Sequence, residues 1–193
     1  MSNARILVVC TGNICRSPYI ERVLATHLAG RGYDVESAGT RALINHPIEP
    51  QSLAHLQALG IDDGGFRSRQ LTPQIAADAD LILTATRDHR ADVVTLQPKA
   101  LKYTFALADF SHMVDGIAAV PPAERGFFGP ADDSFVGRLV DHVGKRRTDI
   151  HPISEQESVI VDPFRRDPEV FAQMAAHINR AMPPVIRALT LES

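Results

Sequence analysis

The stretch ARILVVCTGNICRSPYIERVL, residues 4–24, constrains the fold more than any other part of the chain. The run from Ala4 to Cys10 is almost wholly apolar. It lacks the alternation of a strand with one wet face, so it reads as a strand covered on both sides, the habit of parallel sheets. Beyond a Gly-containing turn the period changes. Ile20, Val23, Leu24, His27 and Leu28 fall at helical spacing and predict an amphipathic helix from Ser17 that Gly30 and Gly32 end. Tyr33–Gly39 reads as a second strand and Ser52–Gly60 as a short helix. Ala79–Thr86 reads as a third strand, Arg87–Gln97 as a helix and Leu101–Leu107 as a fourth strand. Strand and helix alternate, which predicts an α/β fold: a four-stranded parallel sheet with helices on both faces and its site at the carboxyl ends of the strands. Cys10 lies at such an end.

After residue 110 the rhythm breaks. VDGIAAVPPAERGFFGPADDS carries paired prolines and three glycines, so residues 112–157 read as an irregular insertion into a single domain, 1–193. One helix is expected within it, from about Ser134 to Val143, with Phe135, Leu139, Val140 and Val143 as its apolar stripe. SVIVDP, residues 158–163, is a short apolar approach to an Asp-Pro turn. The tail from Pro168 is helical, with Val170, Phe171, Met174 and Ile178 inward, until Pro183 and Pro184 end or kink it.

The loop from Cys10 to Arg16 carries the chemistry. It leaves a buried strand and enters a helix with Pro18 in its first turn. Successive N–H groups in such a turn converge, the helix N-terminus adds partial positive charge, and a planar Arg16 guanidinium matches two oxygens of a phosphoryl group. Gly12 lets the backbone bend. The same field favours the thiolate of Cys10, the nucleophilic form. Ser17 is placed to hydrogen-bond that sulfur and Asn13 to pin the loop. Thr11, Gly12, Asn13, Ile14, Cys15, Arg16 and Ser17 are therefore the candidate phosphate-binding residues. A lone buried cysteine is more often an inert small hydrophobe, but here five further residue types coincide in register with it. Neither G-x-G-x-x-G nor G-K-[ST] occurs in the loop, so a dinucleotide or nucleotide site is a poor alternative.

VCTGNICRSP resembles the signature loop of the low-molecular-weight protein tyrosine phosphatases. The likeness extends to ESAGT (residues 36–40), SRQLT (68–72), ADLILTAT (79–86) and VDPFRRDPEVF (161–171). It implies a Rossmann-like three-layer fold and hydrolysis of phosphotyrosine or aryl phosphates through a phosphocysteine. It also implies Cys10 as nucleophile, Arg16 as phosphate clamp and Asp162 as general acid. On the dipeptide alone, Asp162–Pro163 reads as a turn initiator rather than an acid; the family register reverses that preference. Asp132 and Asp133 read as surface acids. Relatives wall the slot for the substrate ring with aromatic residues. Here Leu43 stands at the first such place, and Phe164 followed by Arg165 at the second. Relatives specialised for phosphoarginine carry threonine where Ile14 stands, so phosphotyrosine is favoured. Arsenate reductases on the same fold and a non-catalytic phosphoprotein-binding module remain the alternatives; the former need more cysteines than Cys10 and Cys15. Cys15 either packs beneath the loop or, as the resemblance implies, pairs with Cys10 on oxidation.

Twenty Lys and Arg against 23 Asp and Glu give a net charge of −3, so any anion site is local and no nucleic-acid partner is expected. Two cysteines suit a reducing cytoplasm, and no apolar run is long enough for a membrane span. The eight histidines fall singly, without metal-ligand spacing. No metal or cofactor is expected. The expected partners are phosphoproteins and free oxyanions.

Overall fold

The computed structural model describes residues 3–115, 134–146 and 151–191. Strands β1 (Ala4–Cys10), β2 (Tyr33–Gly39), β3 (Leu81–Thr84) and β4 (Thr104–Ala106) form a parallel sheet in the order β2-β1-β3-β4. The helices are α1 (Arg16–His27), α2 (Pro50–Gln57), α3 (Pro73–Ala77), α4 (Arg87–Leu96), α5 (Leu107–Val114), α6 (Phe135–Lys145), α7 (Glu155–Ser158) and α8 (Pro168–Leu189).

The apolar run of β1 is covered on both faces because the strand's period of two divides its side chains between two cores. Ile6, Val8 and Cys10 join a large cluster with residues of α1, α5, α6 and α8. Leu7 and Val9 join a smaller one with Ala76 of α3 and Val93 of α4. β3 repeats the division, Leu81 and Leu83 facing one way and Ile82 the other. Each fully buried aliphatic side chain here is worth roughly 1.5–3 kcal/mol. From β1 the chain crosses through α1 to β2 on one side, and β3 then pairs on the other. The loop after β1 therefore sits at the point where strand order reverses, where open α/β sheets leave a crevice.

Several expectations are corrected. The fourth strand does not begin at Leu101: Pro98–Lys102 is a 3-10 turn, with proline at its start and Leu101 exposed, and Leu107 already opens α5. The chain is thus still regular at residue 112, because α5 follows β4 with no turn residue between them and seats Phe110 against Phe105, ring centroids 5.1 Å apart. His27 is exposed, its ring turned back on the Val23 carbonyl at 2.8 Å. Val170 is only partly buried. Pro183 and Pro184 do not end α8, which runs on to Leu189. Each proline removes one helical hydrogen bond, but Val185, Ala188 and Leu189 continue the buried stripe, and Tyr33 Oη donates to the Leu189 carbonyl at 2.6 Å.

Within the expected insertion, α6 carries Phe135, Leu139, Val140 and Val143 into the large core, with Ser134 capping its start through a bond from Gly137 N–H. Asp132 and Asp133 lie outside the described residues. The segment after α7 runs beside the end of β3, where Ile160 N–H donates to the Ala85 carbonyl at 3.2 Å. That contact carries Asp162 back over the carboxyl edge of the sheet.

Candidate active site

The loop from Cys10 to Arg16 divides its backbone groups by kind. Five of its carbonyls are taken: Cys10 O by Thr40 N–H, Thr11 O by Arg41 N–H, Gly12 O by Leu43 N–H, Ile14 O by Glu49 N–H and Cys15 O by Tyr19 N–H. The amides of residues 11–16 find no acceptor among the described residues. A turn that ties down its acceptors and leaves its donors unspent is built for an anion.

Two residues allow this conformation, and Gly12 is not one of them, since a Cβ there would meet only an ordinary contact, 3.6 Å from Ile14 Cγ1. Asn13 takes the left-handed conformation, φ 56°, which asparagine tolerates better than most residues. Gly39, at the end of β2, approaches the loop so closely that a Cβ would lie 2.5 Å from the Thr11 carbonyl oxygen.

Asn13 is also the hub that orients the thiol. Its Nδ2 donates to Ser17 Oγ at 2.9 Å and to Ser37 Oγ at 2.7 Å, and its Oδ1 accepts from Arg69 N–H at 2.8 Å. A hydroxyl has a single hydrogen. With one lone pair of Ser17 Oγ engaged by Asn13, that hydrogen is free to point at Cys10 Sγ, 3.0 Å away. Ser37 passes its own hydrogen to Glu21 Oε2 at 2.6 Å. Burial raises the Glu21 carboxyl above its ordinary range, partly offset by the Ser37 hydroxyl. The ESAGT and SRQLT segments thus supply Ser37, Gly39 and Arg69 as a buttress behind the loop.

Arg16 is buried, its side chain 5% exposed, yet it reaches Asp162: Nη2 lies 2.7 Å from Asp162 Oδ2, and Nη1 donates to the Ile160 carbonyl at 3.4 Å. Its Nε has no hydrogen-bond acceptor among the described residues. Asp162 is half exposed, and its Oδ1 accepts from Phe164 N–H at 3.2 Å. Cys10, Thr11, Gly12, Ile14, Cys15, Arg16, Leu43, Asp162 and Phe164 line one cavity of about 160 Å³. Residues separated by some 150 positions in sequence therefore share one chamber.

Leu43 and Phe164 are exposed at its rim. Arg165, in a left-handed conformation at φ 59°, lies over the Phe164 ring at 5.1 Å and is not itself part of the lining. Both cysteines are free. Burial, followed by the nearby Cys10, pushes the Cys15 thiol up to about 12, so Cys15 stays protonated and unreactive by itself.

Sequence reading missed two residues. Arg41 follows SAGT and lines the same cavity, a place where only Leu43 was expected. His89 was one of eight scattered histidines, yet its Nε2 lies 2.8 Å from Thr11 Oγ1 and its Nδ1 lies 2.7 Å from Thr86 Oγ1. The available signal was T-x-x-H at the start of α4, which folds a side chain back over the helix cap. Among the described residues no group of three or more His, Cys, Asp or Glu could hold a metal, and no helix is long and apolar enough to cross a membrane.

Residues 5–121 match the family model described as low molecular weight phosphotyrosine protein phosphatase. Etp, a low molecular weight protein-tyrosine-phosphatase of Escherichia coli K12, is 42% identical over 94 residues, which are 49% of this chain and 62% of Etp. The chain thus matches less than two thirds of that relative's length. EpsP of Ralstonia nicotianae, named a probable enzyme of the same kind, is 36% identical over 54% of this chain and 70% of its own. Among solved structures, Vibrio vulnificus Wzb in complex with benzylphosphonate is similar with TM-score 0.66 and 25% identity, covering 96% of this chain and 98% of Wzb. The YwlE arginine phosphatase of Geobacillus stearothermophilus is similar with TM-score 0.69 and 25% identity, covering 98% and 94%.

Proposed function

The chain belongs to the low molecular weight phosphotyrosine protein phosphatase family, and from that premise we propose that it hydrolyses phosphotyrosine in phosphoproteins through a phosphocysteine intermediate. The observation that carries this reading is the loop whose amides and Arg16 Nε lack acceptors among the described residues while a thiol sits within it, 3.0 Å from the Ser17 hydroxyl.

In this reading the phosphoryl oxygens take the amides of residues 11–16 and the Arg16 guanidinium, which hold the phosphorus over Cys10 Sγ. The thiolate attacks in line, the ester P–O bond breaks, and a protonated Asp162 gives its proton to the departing oxygen. Asp162, now a carboxylate, removes a proton from water as that water attacks phosphorus. The S–P bond breaks, and inorganic phosphate and the thiolate are released. The position of Asp162 supports both tasks, since it lines the cavity and its loop is reached from solvent.

Phosphotyrosine is preferred over phosphoarginine because the curated relatives are named tyrosine phosphatases and because Ile14 stands where the resemblance associates threonine with the arginine enzymes. The similar folds do not separate these two substrates. Leu43, Phe164 and Arg165, together with Arg41, form the rim that would meet the substrate ring and its neighbours. We further read the 193 residues as one phosphatase domain in the cytoplasm, its 112–157 segment an insertion; the joining of α6 to the large core supports a single unit. The deciding experiment is steady-state turnover of phosphotyrosine and phosphoarginine peptides side by side. Preference for phosphoarginine overturns the substrate class, and turnover of neither overturns the enzyme.

A further inference from the structure

His89 lies outside the loop, and nothing in the reaction above uses it, yet it is bonded on both nitrogens and buried, 6% exposed. The direction of its two hydrogen bonds follows from counting hydrogens. Thr86 Oγ1 caps α4 by accepting from His89 N–H at 3.3 Å. If Nδ1 also donated to Thr86, the Thr86 hydroxyl hydrogen would be left in a buried site, and it has no other acceptor among the described residues. The hydrogen is satisfied only by donation to Nδ1. That leaves the ring hydrogen on Nε2, donating to Thr11 Oγ1 at 2.8 Å. Burial, and after it the charge of Arg16, pushes the His89 imidazolium pKa down to about 4, so the ring is neutral and can accept on one nitrogen while donating on the other.

Thr11 lines the cavity above Cys10. Because its oxygen accepts from His89, its own hydrogen is not spent on the imidazole. We propose that His89 is a positioning residue that holds the Thr11 side chain so that its hydroxyl donates to an oxygen of the bound phosphoryl group. This rests on the phosphoryl-binding reading of the loop and adds one side-chain donor to its backbone amides. The order is fixed from the cap inward: Thr86 hydroxyl to Nδ1, Nε2–H to Thr11, Thr11 hydroxyl to the anion.

The test is binding of inorganic phosphate, by calorimetry, to the wild type, Thr11→Val, His89→Leu, the double variant and His89→Gln. Thr11→Val is expected to weaken binding about tenfold, the loss of one hydrogen bond to a charged group. His89→Leu should weaken it less, the double variant no more than Thr11→Val alone, and His89→Gln should recover most of the loss by returning an N–H near the Nε2 position. Independent losses that multiply in the double variant overturn the proposal, as does Thr11→Val binding phosphate like the wild type. Wild-type protein that does not bind phosphate overturns the proposed function instead. A long-range proton–nitrogen NMR spectrum of the wild type reads the imidazole without any substitution: hydrogen on Nε2 is expected, and hydrogen on Nδ1 overturns the positioning role.

Discussion

The Cys10–Arg16 loop and the Asp162 loop meet over one cavity but are held in opposite ways. The first is contiguous in sequence and over-determined: Asn13 and Ser17 are fully buried, Arg16 nearly so, and the amides of Thr40, Arg41, Leu43, Glu49 and Tyr19 hold the turn by its carbonyls. The second arrives from far along the chain, is half exposed at Asp162, and holds its carboxyl by the Arg16 guanidinium and the Phe164 amide. Under the proposed function this contrast has a reason: anion binding needs donors that do not reorganise, which packing supplies at the first loop, and proton transfer needs a group that meets both the leaving oxygen and water, which a half-exposed carboxyl does.

Substitutions can break that contrast. Cys10→Ser gives the largest expected effect, loss of measurable turnover of a chromogenic aryl phosphate with the fold intact by circular dichroism; unchanged turnover would end the covalent mechanism. Asp162→Ala should lower kcat by about 10²–10⁴-fold while inorganic phosphate binds as well or better, because the carboxylate no longer shares Arg16. A parallel loss of phosphate affinity would make Asp162 part of the binding half after all. Asn13→Ala leaves the Arg69 amide without its acceptor and removes a donor from Ser17 and from Ser37, which keep Cys10 and Glu21 as partners, so a loss of roughly 1–3 kcal/mol is expected in urea unfolding. A cost under about 1 kcal/mol would mean that the loop is not over-determined.

The pH dependence sharpens the same point. His89 falls from an unfolded value near 6.5 to about 4, so between these values the unfolded state binds more protons. Stability is therefore full above about 6.5 and declines as pH falls through that window, by at most about 3 kcal/mol. His89→Gln should flatten this part of the stability–pH curve, and an unchanged slope there would refute the assignment. The smallest effect is expected at the exposed loop. Arg165→Ala removes a cation–π contact worth about 0.5–1 kcal/mol at such a site, read as a two- to threefold rise in KM for an aryl phosphate with kcat unmoved.

The contrast also explains what could be read from the chain before its structure. β1 and β2 were legible to the residue because a covered strand and its glycine stop leave plain marks. β4 was overdrawn because Leu101 and Tyr103 carry the letters of a strand while Pro98 sets a helical turn. α5 was missed because it follows a strand with no turn residue. The turn between β1 and α1 was legible, since Cys10, Arg16 and Ser17 are neighbours in sequence, and the structure brings Cys10 and Arg16 to one cavity with Asp162, Ser17 beside the thiol. Arg41 and His89 were not, because each owes its place to a crossover that brings separate strand ends together.

Gly39 has a consequence beyond local shape. The end of β2 acts as a spacer gauge for the Cys10–Arg16 loop: its bare backbone sets how near the loop lies to the strand edge, with 2.5 Å separating the Thr11 carbonyl from where a methyl group would sit. Even alanine there must push on the curvature of the loop, since both contacts nearest to that methyl belong to the loop itself. The damage from Gly39→Ala should therefore register first as weakened anion affinity, in a protein whose sheet is otherwise undisturbed.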